Sequence, residues 1–262
     1  MVKKIWVLKA GELDLDRSIL FVGRGCGIKE RVPITMVLLE TDQGFVLVDT
    51  GMNPNGLRDP EGTWGPRAKD LIPLITEEDD VRNRLEKLNL HPYDISHVIN
   101  THMHWDHTGG NQFFTKSKIY VQRTEYRYAM YPDPFYAASY MKNHYAHDLD
   151  YVFIDGDSEI LDGIYLLSTP GHTAGHQSVF VTMENGAKII IAGDAAYTWE
   201  SVEKIIPPGN CYDMGRSVLS LQKLKTLQKL TGSDLMPSHE PNHEFYHKIL
   251  HSFNQSLNLQ VI

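Results

Sequence analysis

Thr101-His102-Met103-His104-Trp105-Asp106-His107 packs three imidazoles and a carboxylate into seven residues. His97-Val98-Ile99-Asn100 before it reads as a buried strand, and Thr108-Gly109-Gly110-Asn111 after it as a tight turn leading into a helix. The donors therefore sit in a loop at a strand end, where backbone is free to aim several side chains at one point. Neutral imidazole nitrogens and carboxylate oxygens are ligands for zinc and similar borderline cations. The chain has 13 histidines, too few to make an H-x-H-x-D-H arrangement by chance a serious competitor. The ordered flanks argue equally against a solvated histidine tract.

Strand patterns surround this segment. Ile34 to Leu39 and Phe45 to Val48 are apolar runs about the turn Asp42-Gln43-Gly44; Gln177 to Thr182 and Lys188 to Ala192 repeat the pattern about Glu184-Asn185-Gly186. Each second strand ends on an aspartate, Asp49 and Asp194, which suggests a duplicated ββ unit. Thr76-Glu77-Glu78-Asp79 predicts an N-cap and acidic first turn opening a helix to about Leu88. Val218, Leu221, Leu224 and Leu227 predict a helix with one buried stripe. Asn53 to Lys69, with its Gly, Pro and mixed charges, predicts a long loop of the functional kind. Met1 to Lys9 reads as a first strand, since its apolar run is too short for a signal-peptide core. No Pro/Ser-rich linker divides the chain. Residues 1–262 are therefore expected to form one α/β domain, two mixed sheets face to face with helices outside.

Bulk properties narrow the partners. Apolar residues make up 42% and charged residues 22%, and 33 acidic against 25 basic side chains leave a net charge of −8. That balance argues against a broad nucleic-acid surface, and no run is long enough to span a bilayer. Cys26 and Cys211 form neither a zinc knuckle nor a disulfide framework. They read as reduced thiols, and the protein is expected in the cytoplasm, with no nucleic-acid or membrane partner.

H-x-H-x-D-H resembles the signature of the metallo-β-lactamase superfamily, and that family's later ligands appear in order. Thr169-Pro170-Gly171-His172-Thr173-Ala174-Gly175-His176 resembles its second histidine motif, Ala192-Gly193-Asp194-Ala195 the segment of the bridging aspartate, and Pro237-Ser238-His239 the last histidine. The resemblance runs from about Ile34 to His239 and implies an αββα sandwich with its site at one edge. It implies that His102, His104 and His172 hold one divalent metal, that Asp106, His107 and His239 hold another, and that Asp194 bridges them together with a hydroxide. Two cations about 3.5–4 Å apart acidify a shared water and clamp a carbonyl or leaving oxygen. Zn²⁺ is the first expectation; Fe²⁺, Co²⁺ and Mn²⁺ suit the same donors.

This scaffold hosts hydrolysis of lactams, thioesters, lactones and phosphodiesters. Aspartate rather than cysteine at position 194 points away from lactam cleavage, and the acidic charge away from a nuclease. Closer similarity is to the N-acyl-homoserine lactone lactonases. It rests on Leu39-Glu40-Thr41, Leu47-Val48-Asp49-Thr50-Gly51-Met52, Thr76 to Asp79, Val121-Gln122-Arg123-Thr124-Glu125-Tyr126, Gly175-His176-Gln177-Ser178 and Asp194-Ala195-Ala196-Tyr197-Thr198. The similarity implies quorum-quenching: opening of the lactone ring of a small acyl homoserine lactone by metal-bound hydroxide. By it, the Tyr197 phenol would hydrogen-bond the substrate carbonyl, and Asp106 would pass a proton to the leaving alkoxide.

Other residues carry two readings each. Tyr197 would look the same as a core tyrosine. Asp49 either orients a ligand imidazole or caps a turn, and His176 is expected to support the site rather than bind metal. Trp105 and Trp64 either line an acyl groove or pack, and Ile19-Leu20-Phe21 would cover the site. His91, His97, His144, His147, His243, His247 and His251 lie outside any motif and read as surface or core. A homodimer is the base-rate assembly. The chief rival is a glutathione-thioester hydrolase of the same fold (glyoxalase II-like), which needs cationic groups for the glutathione carboxylates. A metal-holding sensor or oxygen-handling module is the non-enzymatic rival; its di-iron version would bring a flavin domain for which the chain has no room.

Overall fold

Alternate residues along the strands face two different apolar environments, and this builds the layers. The structure is a computed structural model and describes residues 1–242, Glu244 and Tyr246. Strands β1 (Val2–Asp16), β2 (Lys29–Thr41), β3 (Gly44–Val48), β4 (Ile72–Leu74), β5 (Ile95–Ile99), β6 (Lys118–Gln122) and β7 (Asp150–Ile154) form one sheet, ordered β4-β1-β2-β3-β5-β6-β7. Strands β8 (Ser158–Leu161), β9 (Ile164–Ser168), β10 (Gln177–Thr182), β11 (Lys188–Gly193) and β12 (Asp234–Pro237) form the second, ordered β12-β11-β10-β9-β8.

Val37, Leu39, Val46 and Val48 of the first sheet share a core with Val179, Val181, Ile189 and Ile191 of the second. Their neighbours Met36, Leu38 and Leu47 turn outward and cluster with Trp64, Val81 and Leu85. On the far side, Ile190, Ala192 and Leu235 cluster with Val202, Leu221 and Leu224. The helices in chain order are α1 (Pro60–Trp64), α2 (Arg67–Asp70), α3 (Val81–Glu86), α4 (Arg123–Met130), α5 (Lys142–Tyr145), α6 (Trp199–Lys204) and α7 (Met214–Thr231). Residues of α1 and α3 thus cover one outer face, and residues of α6 and α7 the other. The order is αββα, as expected. Burial on both faces explains why strands such as Ile34 to Leu39 read as unbroken apolar runs.

The two hairpins read from sequence are β2–β3 and β10–β11, antiparallel, one in each sheet. Each second strand then pairs in parallel, β3 with β5 and β11 with β12. Helix α7 carries the expected stripe: Leu221 and Leu224 are buried and Val218 and Leu227 half-buried. Asp213 caps its first turn and Gly232, at φ 66°, ends it.

Two expectations need revision. The helix expected from Thr76 to Leu88 is two pieces, a 3₁₀ turn Glu77–Asp79 and then α3. Asp80 is extended at ψ 127° and caps Arg82 N–H itself, so the first turn cannot propagate. The loop expected over Asn53 to Lys69 holds a 3₁₀ turn Pro54–Leu57 and helices α1 and α2. Its signals were Asn53-Pro54 and Asp59-Pro60, where a capping side chain precedes a proline preset for the first helical position. No helix among the described residues is long and apolar enough to cross a membrane.

Of the histidines outside the motifs, His91 and His147 are exposed, His97 is half-buried and His144 is fully buried, while His243, His247 and His251 lie outside the described residues. Burial pushes His144 down to about 4. Unfolded chain takes up a proton there near pH 6.5 that the folded chain refuses until about pH 4. Its penalty is absent above 6.5 and grows as pH falls through that window, reaching about 3 kcal/mol. Urea midpoints measured from pH 7 to pH 4 should therefore fall less steeply for His144→Leu than for the parent chain.

Candidate metal centre

Strands β3, β5, β9, β11 and β12 all end at one edge of the sandwich, where open α/β sheets place their ligands. The loops that follow bring together two groups of donors, His102, His104, His172 and Asp194 in one and Asp106, His107 and His239 in the other. The potential ligand atoms of each group lie within 4.8 Å of one another. All seven side chains are buried. Asp194 stands between the groups. Its Oδ2 is 3.6 Å from His102 Nε2 and 3.3 Å from His172 Nε2; its Oδ1 is 3.5 Å from His107 Nε2 and 3.2 Å from His239 Nε2. His104 Nδ1 lies 3.0 Å from His172 Nε2, and Asp106 Oδ2 lies 3.7 Å from His107 Nε2.

Hydrogen bonds around the rim fix which nitrogen carries the proton. Nδ1 donates to Asn210 O in His172, to Pro33 O in His239 and to Asp49 Oδ2 in His107, each at 2.8 Å. In His102, Nδ1 meets Thr101 Oγ1 at 3.0 Å; that hydroxyl donates to Asp49 Oδ2, so its oxygen accepts from the ring. In their neutral forms the four rings thus turn Nε2 lone pairs inward on one carboxylate. His102 Nε2, His107 Nε2 and Asp194 Oδ1 are buried without a hydrogen-bond partner. Electron-rich atoms converging in a dry interior are strongly unfavourable without positive charge between them. Ligand bonds of about 2.0–2.1 Å at tetrahedral angles leave donors about 3.3 Å apart, the spacing found around Asp194. The donor set fits divalent cations.

Titration follows the same electrostatics. Burial favours the neutral form of His102 and brings His172 down to about 4. Burial opposes charge on His107 and His239 and is the largest single influence on each, but Asp194 and Asp106 together, joined at His107 by Asp49, outweigh it and raise both, His107 strongly. Asp194 is held well below the usual carboxylate range, because His107 and His239 overcome the cost of burying it. Burial raises Asp106.

Behind the donors, Asp49 accepts from Thr101 N–H at 2.8 Å, the Thr101 hydroxyl at 2.7 Å and His107 Nδ1. These bonds offset its left-handed backbone, φ 60°. Asp49 therefore orients an imidazole instead of merely capping a turn. His176 stands outside both donor groups, its Nδ1 against Thr169 Oγ1 at 2.9 Å. Gly193, at φ 56°, lets the chain pass this ring into Asp194; a Cβ there would sit 2.8 Å from His176 Nε2.

Tyr197, Trp105 and Asp106 line the cleft over the donors, facing an apolar wall of Leu13, Leu15, Ile19, Leu20 and Leu71. The Tyr197 hydroxyl is 3.5 Å from His172 Nδ1. Ile19 and Leu20 take the covering place expected of them, whereas Phe21 packs in the adjoining core. Trp64 is not in the cleft; it is buried with its ring 5.4 Å from that of Trp105. Sequence reasoning assigned no role to Pro33, Thr101, Asn210 or Glu125. Backbone carbonyls such as those of Pro33 and Asn210 leave no side-chain signature. Glu125 did leave one, an acidic residue where a strand meets a helix, and it is fully buried.

The family model of the Metallo-beta-lactamase superfamily matches residues 30–239. The chain belongs to that superfamily. It is 37% identical over 230 residues to the N-acyl homoserine lactonase AiiA of Bacillus thuringiensis subsp. kurstaki, covering 87% of this chain and 89% of that one. It is 28% identical to the N-acyl homoserine lactonase AttM of Azorhizobium caulinodans over 91% of this chain and 94% of AttM. Among solved structures, a variant of B. thuringiensis AiiA with N-decanoyl-L-homoserine at its active site superposes with a TM-score of 0.86 at 35% identity, covering 94% of this chain and 96% of that one. An N-acyl homoserine lactone hydrolase holding N-hexanoyl-L-homoserine at its catalytic metal centre gives 0.86 at 34% identity, with 94% and 96% covered.

The raised His107 and His239 mean that a cation entering this superfamily member's cage displaces protons. Calorimetric titration of demetallated protein with zinc, in buffers of different ionisation enthalpy, should show proton release near pH 7. The release should shrink as pH is raised.

Proposed function

We propose that this protein is a dinuclear metal-dependent hydrolase that opens the lactone ring of N-acyl homoserine lactones. The observation that carries the reading is Asp194, one carboxylate whose two oxygens each face a separate pair of imidazoles at 3.2–3.6 Å on the floor of a cleft. Similarity to the lactonases AiiA and AttM supports the substrate. In this reading His102, His104 and His172 hold one cation, Asp106, His107 and His239 the other, and Asp194 bridges. Zinc suits the nitrogen and oxygen donors, and Fe²⁺, Co²⁺ or Mn²⁺ would occupy the same positions. When bound, two such cations acidify a shared water and polarise the lactone carbonyl.

The chain's own residues do the rest. Tyr197 donates its phenol to the carbonyl oxygen as that oxygen gains charge. Asp106, a carboxylate lining the cleft, would take up the proton that the attacking water gives up and pass it to the alkoxide released when the ring C–O bond breaks, leaving an acyl homoserine. The wall of Leu13, Leu15, Ile19, Leu20 and Leu71 takes the acyl chain, with Trp105 beside it. No lysine or arginine among the described residues lines this cleft, which favours a neutral acyl lactone over a glutathione thioester with its two carboxylates. A cytoplasmic location belongs to the same reading, in keeping with the free thiols Cys26 and Cys211.

Metal-loaded protein should cleave acyl homoserine lactones far faster than S-lactoylglutathione; the reverse order would contradict the assignment. Tyr197→Phe should keep its metal and lose about 10²–10³-fold in kcat, the usual loss for one oxyanion donor. Ile19→Ser should lower kcat/KM for a decanoyl lactone about tenfold while leaving the butanoyl lactone nearly unchanged, as expected for apolar contacts with the chain's far end.

A further inference from the structure

Glu125 is a carboxylate with no exposure, in the first turn of α4, away from the cleft. Its Oε1 accepts from Met103 N–H at 3.0 Å and its Oε2 from Gly175 N–H at 2.8 Å. Met103 lies between His102 and His104. Gly175 lies three residues after His172. One side chain therefore ties the loop after β5, in the first sheet, to the loop after β9, in the second. Approach at the second loop is close: a methyl group on Gly175 would overlap the backbone of Glu125.

We propose that Glu125 is a positioning residue for one metal position only, that of His102, His104 and His172. The inference rests on the dinuclear reading given above. Bonds from a carboxylate to two backbone amides are of the stronger, charge-assisted kind, and they fix the main chain rather than a rotamer. Burial raises the Glu125 carboxyl, and the Thr173 side chain, followed by the amides of Met103 and Gly175, pulls it back toward its charged form. An apolar side chain would fill the space without that desolvation cost, so the carboxylate is retained for the geometry it sets. That geometry is the 3.0 Å approach of His104 Nδ1 to His172 Nε2 across the two loops. Support for the other position has a different origin, Asp49 on His107 and the Pro33 carbonyl on His239.

Loosening the Glu125 brace should cost the first position about 10–100-fold in affinity, the usual effect of removing a group that orients ligands. Glu125→Gln is nearly isosteric but turns an NH₂ toward one of the two amide N–H groups. Glu125→Asp is one methylene shorter and reaches only one amide. Zinc-loaded parent and variant proteins are titrated with a chelator of graded strength while zinc release is followed. The parent should release two zinc ions. Each variant should hold one as tightly as the parent and the other about 10–100-fold more weakly, and excess zinc should restore lactone turnover with KM unchanged.

A parent that binds fewer than two ions defeats the dinuclear reading itself. With a two-zinc parent, equal weakening of both ions, or no weakening of either, overturns the role of Glu125. Loss of the fold in both variants overturns it too, because Glu125 would then hold the protein together instead of one metal position.

Discussion

Four imidazole nitrogens face the two oxygens of Asp194 in a buried pocket, and the hydrogen bonds at the rim hold each Nδ1–H outward, so that every ring in its neutral form turns a lone pair inward. Lone pairs aimed at lone pairs repel, and in a low-dielectric interior the repulsion is large. The fold can sustain such a site only by holding the rings rigidly from behind and by accepting positive charge in the middle. Both features are present. Asp49, Thr101, Pro33 O and Asn210 O hold the outer nitrogens, and the upward shift of His107 and His239 registers the pull toward positive charge.

The sandwich supplies rigidity through its strand ends. The donor-bearing loops leave β5, β9, β11 and β12, strands whose residues nearest the site are largely buried, so each loop begins from a fixed backbone. Further ties run between loops: Ser238 and His239 donate their N–H groups to Ala196 O and Tyr197 O, joining the last histidine to the segment that carries Asp194 and Tyr197. α7 presses on the His172 loop through Ser220, whose hydroxyl donates to Pro170 O at 2.7 Å. The catalytic reading inherits its precision from these contacts, since Tyr197 is aimed by the same segment that positions Asp194.

Much of this was legible in the sequence, for physical reasons. Apolar runs with an aspartate at their ends announced both hairpins and the two site-facing strand ends. The four donors of H-x-H-x-D-H could be named because imidazole and carboxylate at close spacing have few other uses, whereas His172, Asp194 and His239 entered through the family resemblance; the structure brings all seven donors to one place. Less legible was everything that depends on the backbone. The break at Asp80 needed knowledge that its own side chain would cap a new helix, and the helices inside Asn53 to Lys69 were announced only by two X-Pro steps. Trp64 and Trp105 read alike as aromatics near the motif, yet only Trp105 reaches the cleft, because α1 buries Trp64 behind it. Glu125 is the instructive omission: it lies within a family-like run, but a role for it appears only when the amides of Met103 and Gly175 are seen to converge on it.

The central claim, two cations astride Asp194, is tested most directly by anomalous diffraction from crystals of the zinc-loaded protein. The account predicts two peaks about 3.5–4 Å apart, one within bonding distance of His102, His104 and His172 and the other of Asp106, His107 and His239. A single peak, or a pair that leaves His172 or His239 uncoordinated, would contradict it.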